Sequence, residues 1–126
     1  MTTSATHFVR HIRAEAARIG FVAIGFAAPK LPPMAMPRYM EMLHDKRHGV
    51  MAYLANYTAE RANPALLLSD VKTVISVALS YNHPITYGNG FPKISRYALI
   101  DDYNTVMKSK LEELHVAIER IMGEPI

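Results

Sequence analysis

Ser95-Arg96-Tyr97, followed closely by Asp101-Asp102-Tyr103, is the run of this 126-residue chain richest in side chains that could do chemistry. An arginine fork grips a phosphate or carboxylate with two parallel hydrogen bonds, or stacks on a ring. A tyrosine offers a flat apolar face and a hydroxyl. Two adjacent carboxylates where a helix begins accept hydrogen bonds from its free N–H groups and meet the positive end of its dipole. Two readings stay open. In one, the run is a helix start with a sheet-edge arginine pairing to Asp101 or Asp102. In the other it is a polar binding surface at the end of a sheet: Asp101 starts the helix, while Asp102 and Tyr103 face a pocket bordered by Arg96 and Tyr97. The second reading expects these groups along the rim of one concavity.

Other constellations point elsewhere. His7/His11 and His44/His48 have the i,i+4 spacing of a metal pair, but no third ligand and no HExxH pattern accompanies them. They read as solvated helix faces, and no metal site is expected. The chain has eight methionines, five of them between Met34 and Met51. They suit an adaptable core, or a soft wall for a large flat apolar ligand. Neither GxxxxGK nor GxGxxG occurs, so no nucleotide phosphate loop is supported. With no cysteine, there is no disulfide, no thiolate nucleophile and no sulfur ligand for zinc or an iron–sulfur cluster.

The elements that must position these residues follow from periodicity. Residues 5–19 place Phe8, Ile12, Ala16 and Ile19 on one stripe, an amphipathic helix ended by Gly20. FVAIGFA, 21–27, predicts a buried strand. Residues 28–37 hold four prolines and read as loop. Residues 38–49 and 50–57 predict helices, and Asn63-Pro64 a turn before one helical turn of leucines. VKTVISVALSY, 71–81, predicts a strand in the middle of a sheet with both faces covered. After a loop over 82–92, KISRYA reads as a short extended segment. A long helix runs from Asp101 or Asp102 to Met122, with Tyr103, Met107, Leu111, Leu114, Ile118 and Ile121 at steps of three and four. The fold class is α/β (α+β): one domain over 1–126, with a small central sheet of two to four strands flanked by helices. It reads like the front portion of a larger α/β domain.

Half the residues are apolar and a fifth charged, a globular balance. The net charge of +3 permits an RNA or phosphate partner. The N-terminal stretch alternates charged and apolar residues, unlike a signal peptide. No run reaches the ~18 apolar residues that a membrane helix needs. The reading is a cytoplasmic protein without membrane attachment.

The chain resembles the N-terminal part of the epoxyqueuosine reductases. The resemblance is carried in order by IGFVAIGFA, HGVMAYL, ERANPALLLSDVKTVISVALSYN and ISRYALIDDYNTVMKSKL. It implies the start of a cobalamin-binding reductase domain, in an enzyme that reduces epoxyqueuosine in tRNA to queuosine with cobalamin and iron–sulfur clusters (4Fe–4S). It assigns Ser95, Arg96, Tyr97, Ala98, Asp102 and Tyr103 to the cobalamin or substrate pocket, with Asn56 at a matching position of the second motif. It offers Lys108 and Lys110 to tRNA phosphate, where contacts would be salt-dependent. The family's clusters and its proton-donating carboxylic acid are expected beyond Ile126. By itself this chain is expected to be inactive as a reductase. Departures are visible too. Ile100, Asp101 and Asn104 stand where the family carries Gly, Arg and His, and Asn56-Tyr57 where it carries Arg-His. These changes remove positive charge and donors. Two alternatives therefore accompany the resemblance: a non-catalytic module binding RNA or a protein partner, and a paralogous reductase with another substrate.

Overall fold

The computed structural model of the protein describes residues 2–82, 84, 90, 94–99 and 101–126. It is a mixed α/β structure. Helix α1 (Thr2–Ile19) leads to strand β1 (Ala23–Ala27), helix α2 (Ala35–His44), helix α3 (Thr58–Ala62), strand β2 (Val74–Ala78) and helix α4 (Tyr103–Met122). Single 3-10 turns lie at Ala52–Ala55, Pro64–Leu66 and Arg96–Leu99. β1 and β2 form a two-stranded sheet. The Val22 N–H donates to the Ala78 carbonyl at 2.9 Å, which sets the start of β1 beside the end of β2, the antiparallel sense. The chain divides into two compact units, Met1–Gly25 with Val77–Ile126, and Phe26–Ser76.

In the first unit α1 packs on α4. Ile12, Ala16 and Ile19 of α1, Phe21 just after it, and Leu114, Ala117 and Ile118 of α4 are the buried apolar side chains among the described residues. The α1 stripe expected from sequence is therefore the packed face, with Phe8 half-buried at its upper end. Each buried Ile or Leu contributes roughly 1.5–3 kcal/mol. Gly20, at φ +104°, takes the left-handed conformation that ends α1. The Gly20 N–H donates to the Ala17 carbonyl and the Phe21 N–H to the Ala16 carbonyl, both at 3.0 Å. This paired return places Phe21 against the last turn of the helix it closes. Arg13 Nη1 donates to the Ile24 carbonyl at 2.8 Å and so fastens α1 to β1. At the rim, Arg18 Nη2 bridges Glu15 Oε2 at 3.0 Å and Glu113 Oε1 at 2.9 Å, while Arg120 Nη2 reaches Glu15 Oε2 at 3.2 Å.

In the second unit the Tyr39 hydroxyl of α2 donates to the Leu54 carbonyl at 2.5 Å. The Arg61 guanidinium lies 5.8 Å from the centre of the Tyr39 ring. One aromatic residue thus joins α2, the 3-10 turn at 52–55 and α3.

Three expectations are corrected. β2 is not a central, doubly covered strand: it has one partner strand among the described residues, and its own residues are half-buried or exposed, as are those of β1. Its β-branched run reflects strand propensity without two-sided burial. The extended segment expected at 93–98 is, from Arg96 to Leu99, a 3-10 turn; Lys93 lies outside the described residues. α2 begins at Ala35, inside the stretch read as loop, with Pro37 in its first turn. Proline is tolerated there because first-turn N–H groups have no partner inside the helix. No helix of the structure is long and apolar enough to cross a membrane, among the described residues.

Candidate functional site

The 3-10 turn and the head of α4 share the stretch 94–104. The Ala98 N–H donates to the Ser95 carbonyl at 3.0 Å and closes the turn. Ser95 and Ala98 are exposed. Tyr97 belongs to the turn by its backbone, while its side chain lies outside the described residues. The Arg96 Nη1 donates to the Asn82 Oδ1, just past β2. Sequence gave no signal for Asn82, because the partner is fourteen residues away along the chain.

The helix start is decided between the two aspartates. Asp102, not Asp101, is the cap. Its Oδ1 accepts from the Asn104 N–H at 3.1 Å and from Asn104 Nδ2 at 3.2 Å; its Oδ2 accepts from Thr105 Oγ1 at 3.4 Å. The short Asp side chain reaches back to the free N–H groups of the first turn, which is what a cap requires. The Asn104 side chain thus serves as a second donor to the capping carboxylate. Asp101 is exposed.

Tyr103 is 62% exposed. It stands at the head of an open hollow along α4 whose apolar wall is Tyr103, Met107 and Leu111 and whose polar side is Asn104, Lys108 and Glu112. The cations expected to meet phosphate part ways here. Lys108 is exposed. Lys110 is partly buried, its Nζ 2.5 Å from the Ile19 carbonyl, a cation on the C-terminal end of α1 where the helix dipole favours it. Its position beneath the end of α1 could not be read from spacing.

Asn56 belongs to the second unit. It is exposed at the end of the 52–55 turn, and its carbonyl accepts from Arg61 Nε at 3.2 Å. The next residue, Tyr57, has φ +57°, a left-handed conformation that costs a residue with a Cβ about 1–2 kcal/mol. Ser95, Arg96, Ala98, Asp102 and Tyr103 follow one another along the first unit, whereas Asn56 stands in the other.

His7 and His11 lie with ring centres 4.2 Å apart and planes tilted by 50°, Nε2 to Nε2 at 3.0 Å, on exposed helix surface. His44 pairs with its neighbour Asp45 at 3.2 Å. Among the described residues no group of three or more His, Cys, Asp or Glu is close enough to hold a metal ion.

Comparison with known proteins supplies the context. The family model described as "Epoxyqueuosine reductase QueG, DUF1730" matches residues 61–125, a span containing β2, the 3-10 turn and all of α4. The chain is 37% identical over 113 residues to an epoxyqueuosine reductase of Cellulophaga algicola, covering 90% of this chain and 37% of that protein. It is 36% identical over 118 residues to one of Leadbetterella byssophila, covering 93% and 39%. It is 31% identical over 108 residues to one of Escherichia coli, covering 81% and 28%. The chain thus spans less than two fifths of the length of these curated relatives. No solved structure gives a significant match. With more than half of its residues inside the family match, the chain belongs to the epoxyqueuosine reductase QueG, DUF1730 family.

Proposed function

We propose that this chain forms the front part of an epoxyqueuosine reductase-like oxidoreductase and contributes one polar rim of its cobalamin pocket. The similarity over nine tenths of the chain to proteins named epoxyqueuosine reductase carries this reading. The chemistry of the donor set agrees with it. A corrin is a flat apolar macrocycle fringed with amides and tethered to a phosphate. Along 95–103 the chain presents a guanidinium and two exposed hydroxyls, of Ser95 and Tyr103, which suit such a fringe. None of these is a soft ligand to cobalt, so they would hold the periphery. Ser95, Arg96, Tyr97, Ala98, Asp102 and Tyr103 would form this rim, and Asn56 is a separate candidate for a cofactor contact. Bound cobalamin would supply the reducing electrons for epoxide reduction. This chain's own residues would bind and orient. With no cysteine, the chain offers no thiolate to an iron–sulfur cluster, so the clusters would be held elsewhere. The tRNA partner would meet exposed Lys108, with Lys110 engaged at the end of α1.

The test is a spectral titration with cob(II)alamin. The chain is expected to shift the cobalt absorption bands, and Arg96→Ala to weaken the apparent affinity about tenfold, the worth of a charged hydrogen bond. Superimposable curves for the two proteins would remove Arg96 from the site. Absence of any band shift, in this chain and in a full-length relative bearing the same residues, would sink the cofactor reading. For tRNA, Lys108→Glu should weaken retention and flatten its dependence on salt.

A further inference from the structure

Helix α4 is covered along only part of its apolar stripe. Leu114 and Ile118 are buried against α1, at 3% and 7% exposure. Toward the helix start the same stripe lies open: Leu111 is 43% exposed, Met107 is half-buried and Tyr103 is exposed. Roughly 12 Å of apolar helix surface is involved, at the ordinary helical rise. Asn104, Lys108 and Glu112 border it, the arrangement of an apolar centre with a polar rim that marks contact surfaces. α4 lies within the span matched by the family model, so it is an element of proteins far longer than this one. In the relatives from Cellulophaga algicola and Leadbetterella byssophila, about three fifths of the length falls outside the aligned part.

We infer that the Tyr103–Met107–Leu111 face of α4 is the docking surface for the portion of an epoxyqueuosine reductase chain that lies outside this alignment. An apolar element of that portion packs on the three side chains, and Lys108 and Glu112 form the charged border. The inference rests on the reductase reading above and names the partner that reading requires. It does not depend on cobalamin.

The test co-expresses this chain with the unaligned portion of the Cellulophaga algicola reductase and reads hydroxyl-radical oxidation of Tyr103 and Met107 by mass spectrometry. A 1:1 complex is expected, with both residues oxidised about tenfold more slowly than in the chain alone. Leu111→Glu should reduce complex recovery at least tenfold. Val116→Glu, on the side of α4 away from Met107, should leave it unchanged. Both sites are already exposed, so circular dichroism should show unaltered helix content. If the separate portion is insoluble, the footprint is read on a fusion in which this chain replaces the aligned residues of that relative. Unchanged oxidation in the complex or fusion overturns the inference, as does indifference to Leu111→Glu. Protection of Tyr103 and Met107 in a dimer of this chain alone overturns it too, by assigning the face to a second copy. A protected complex that gives no cob(II)alamin band shift upholds the docking surface and removes the cofactor reading. Cobalamin binding with the α4 face still open does the reverse.

Discussion

Asp102 has one role that the structure shows and one that is proposed for it, and a pair of substitutions can separate them. Its carboxylate caps α4 through Asn104 and Thr105, and its charge is a candidate contact for the bound cofactor or substrate. Asp102→Ala should lower stability by about 1 kcal/mol, while Asp102→Asn, also a good cap, should cost only a fraction of that. Urea unfolding followed by circular dichroism measures both. Any loss of cob(II)alamin affinity in the Asn variant then reports the charge and not the helix. Lys110 and Gly20 form a second such pair. A Cβ on Gly20 would sit 3.3 Å from the Lys110 Nζ, on a backbone already at φ +104°. Gly20→Ala should therefore destabilise by roughly 1–2 kcal/mol, and Lys110→Met by about 1 kcal/mol through loss of the cation at the end of α1. Glu15 gives a pH signature. The hydrogen bond from Arg18, with the nearby charges of Arg18 and Arg120, holds its carboxyl below the usual carboxylate value. A depressed carboxylate adds stability above its unfolded-state pKa and loses it as pH falls through the folded one. The melting temperature of Glu15→Gln should therefore lie below that of the wild type at neutral pH. The gap should close on acidification through the carboxylate range. A gap that stays constant to pH 3 would contradict the pairing.

At the scale of elements, the two long helices carry the buried core. Ile118→Ala in the α1–α4 seam should cost about 2–5 kcal/mol, from lost burial and the cavity left behind; thermal and urea unfolding check it. These helices were also the most legible part of the sequence. Ile12, Ala16 and Ile19 recur at helical spacing and are buried together, and Leu114 and Ile118 of the α4 stripe meet them. Gly123 ends α4 in the left-handed conformation that its position suggested. The strands were legible in existence but not in surroundings. VISVA has the same composition whether one strand or two lie beside it, because propensity records the pleat and not the neighbours. The extended reading of 93–98 fails because its β-formers, Ile94 and Tyr97, flank an arginine whose partner lies fourteen residues away along the chain. The site was legible as a cluster of residue types. Asp102 and Asp101 could not be ranked as caps without seeing which carboxylate turns back onto Asn104. Lys110 read as a surface cation because nothing local announces the end of another helix beneath it.

At the scale of the whole molecule, the chain matches family members along nine tenths of itself while spanning less than two fifths of their length. The division into two units has a consequence for what can be exchanged. β1 and β2 run antiparallel, so the end of β1 at Ala27 lies next to the start of β2 at Val74. Everything from 28 to 73 is an excursion that leaves and returns at neighbouring points. None of the buried side chains of the α1–α4 seam falls within it. Two antiparallel strand ends can be bridged by a two-residue turn such as Asn-Gly. A shortened chain carrying that turn in place of 28–73 should retain the helical pair, the sheet and the Arg96–Tyr103 run while discarding Asn56. The excursion is, in effect, a cassette: lineages could rewrite it without disturbing the frame of paired helices.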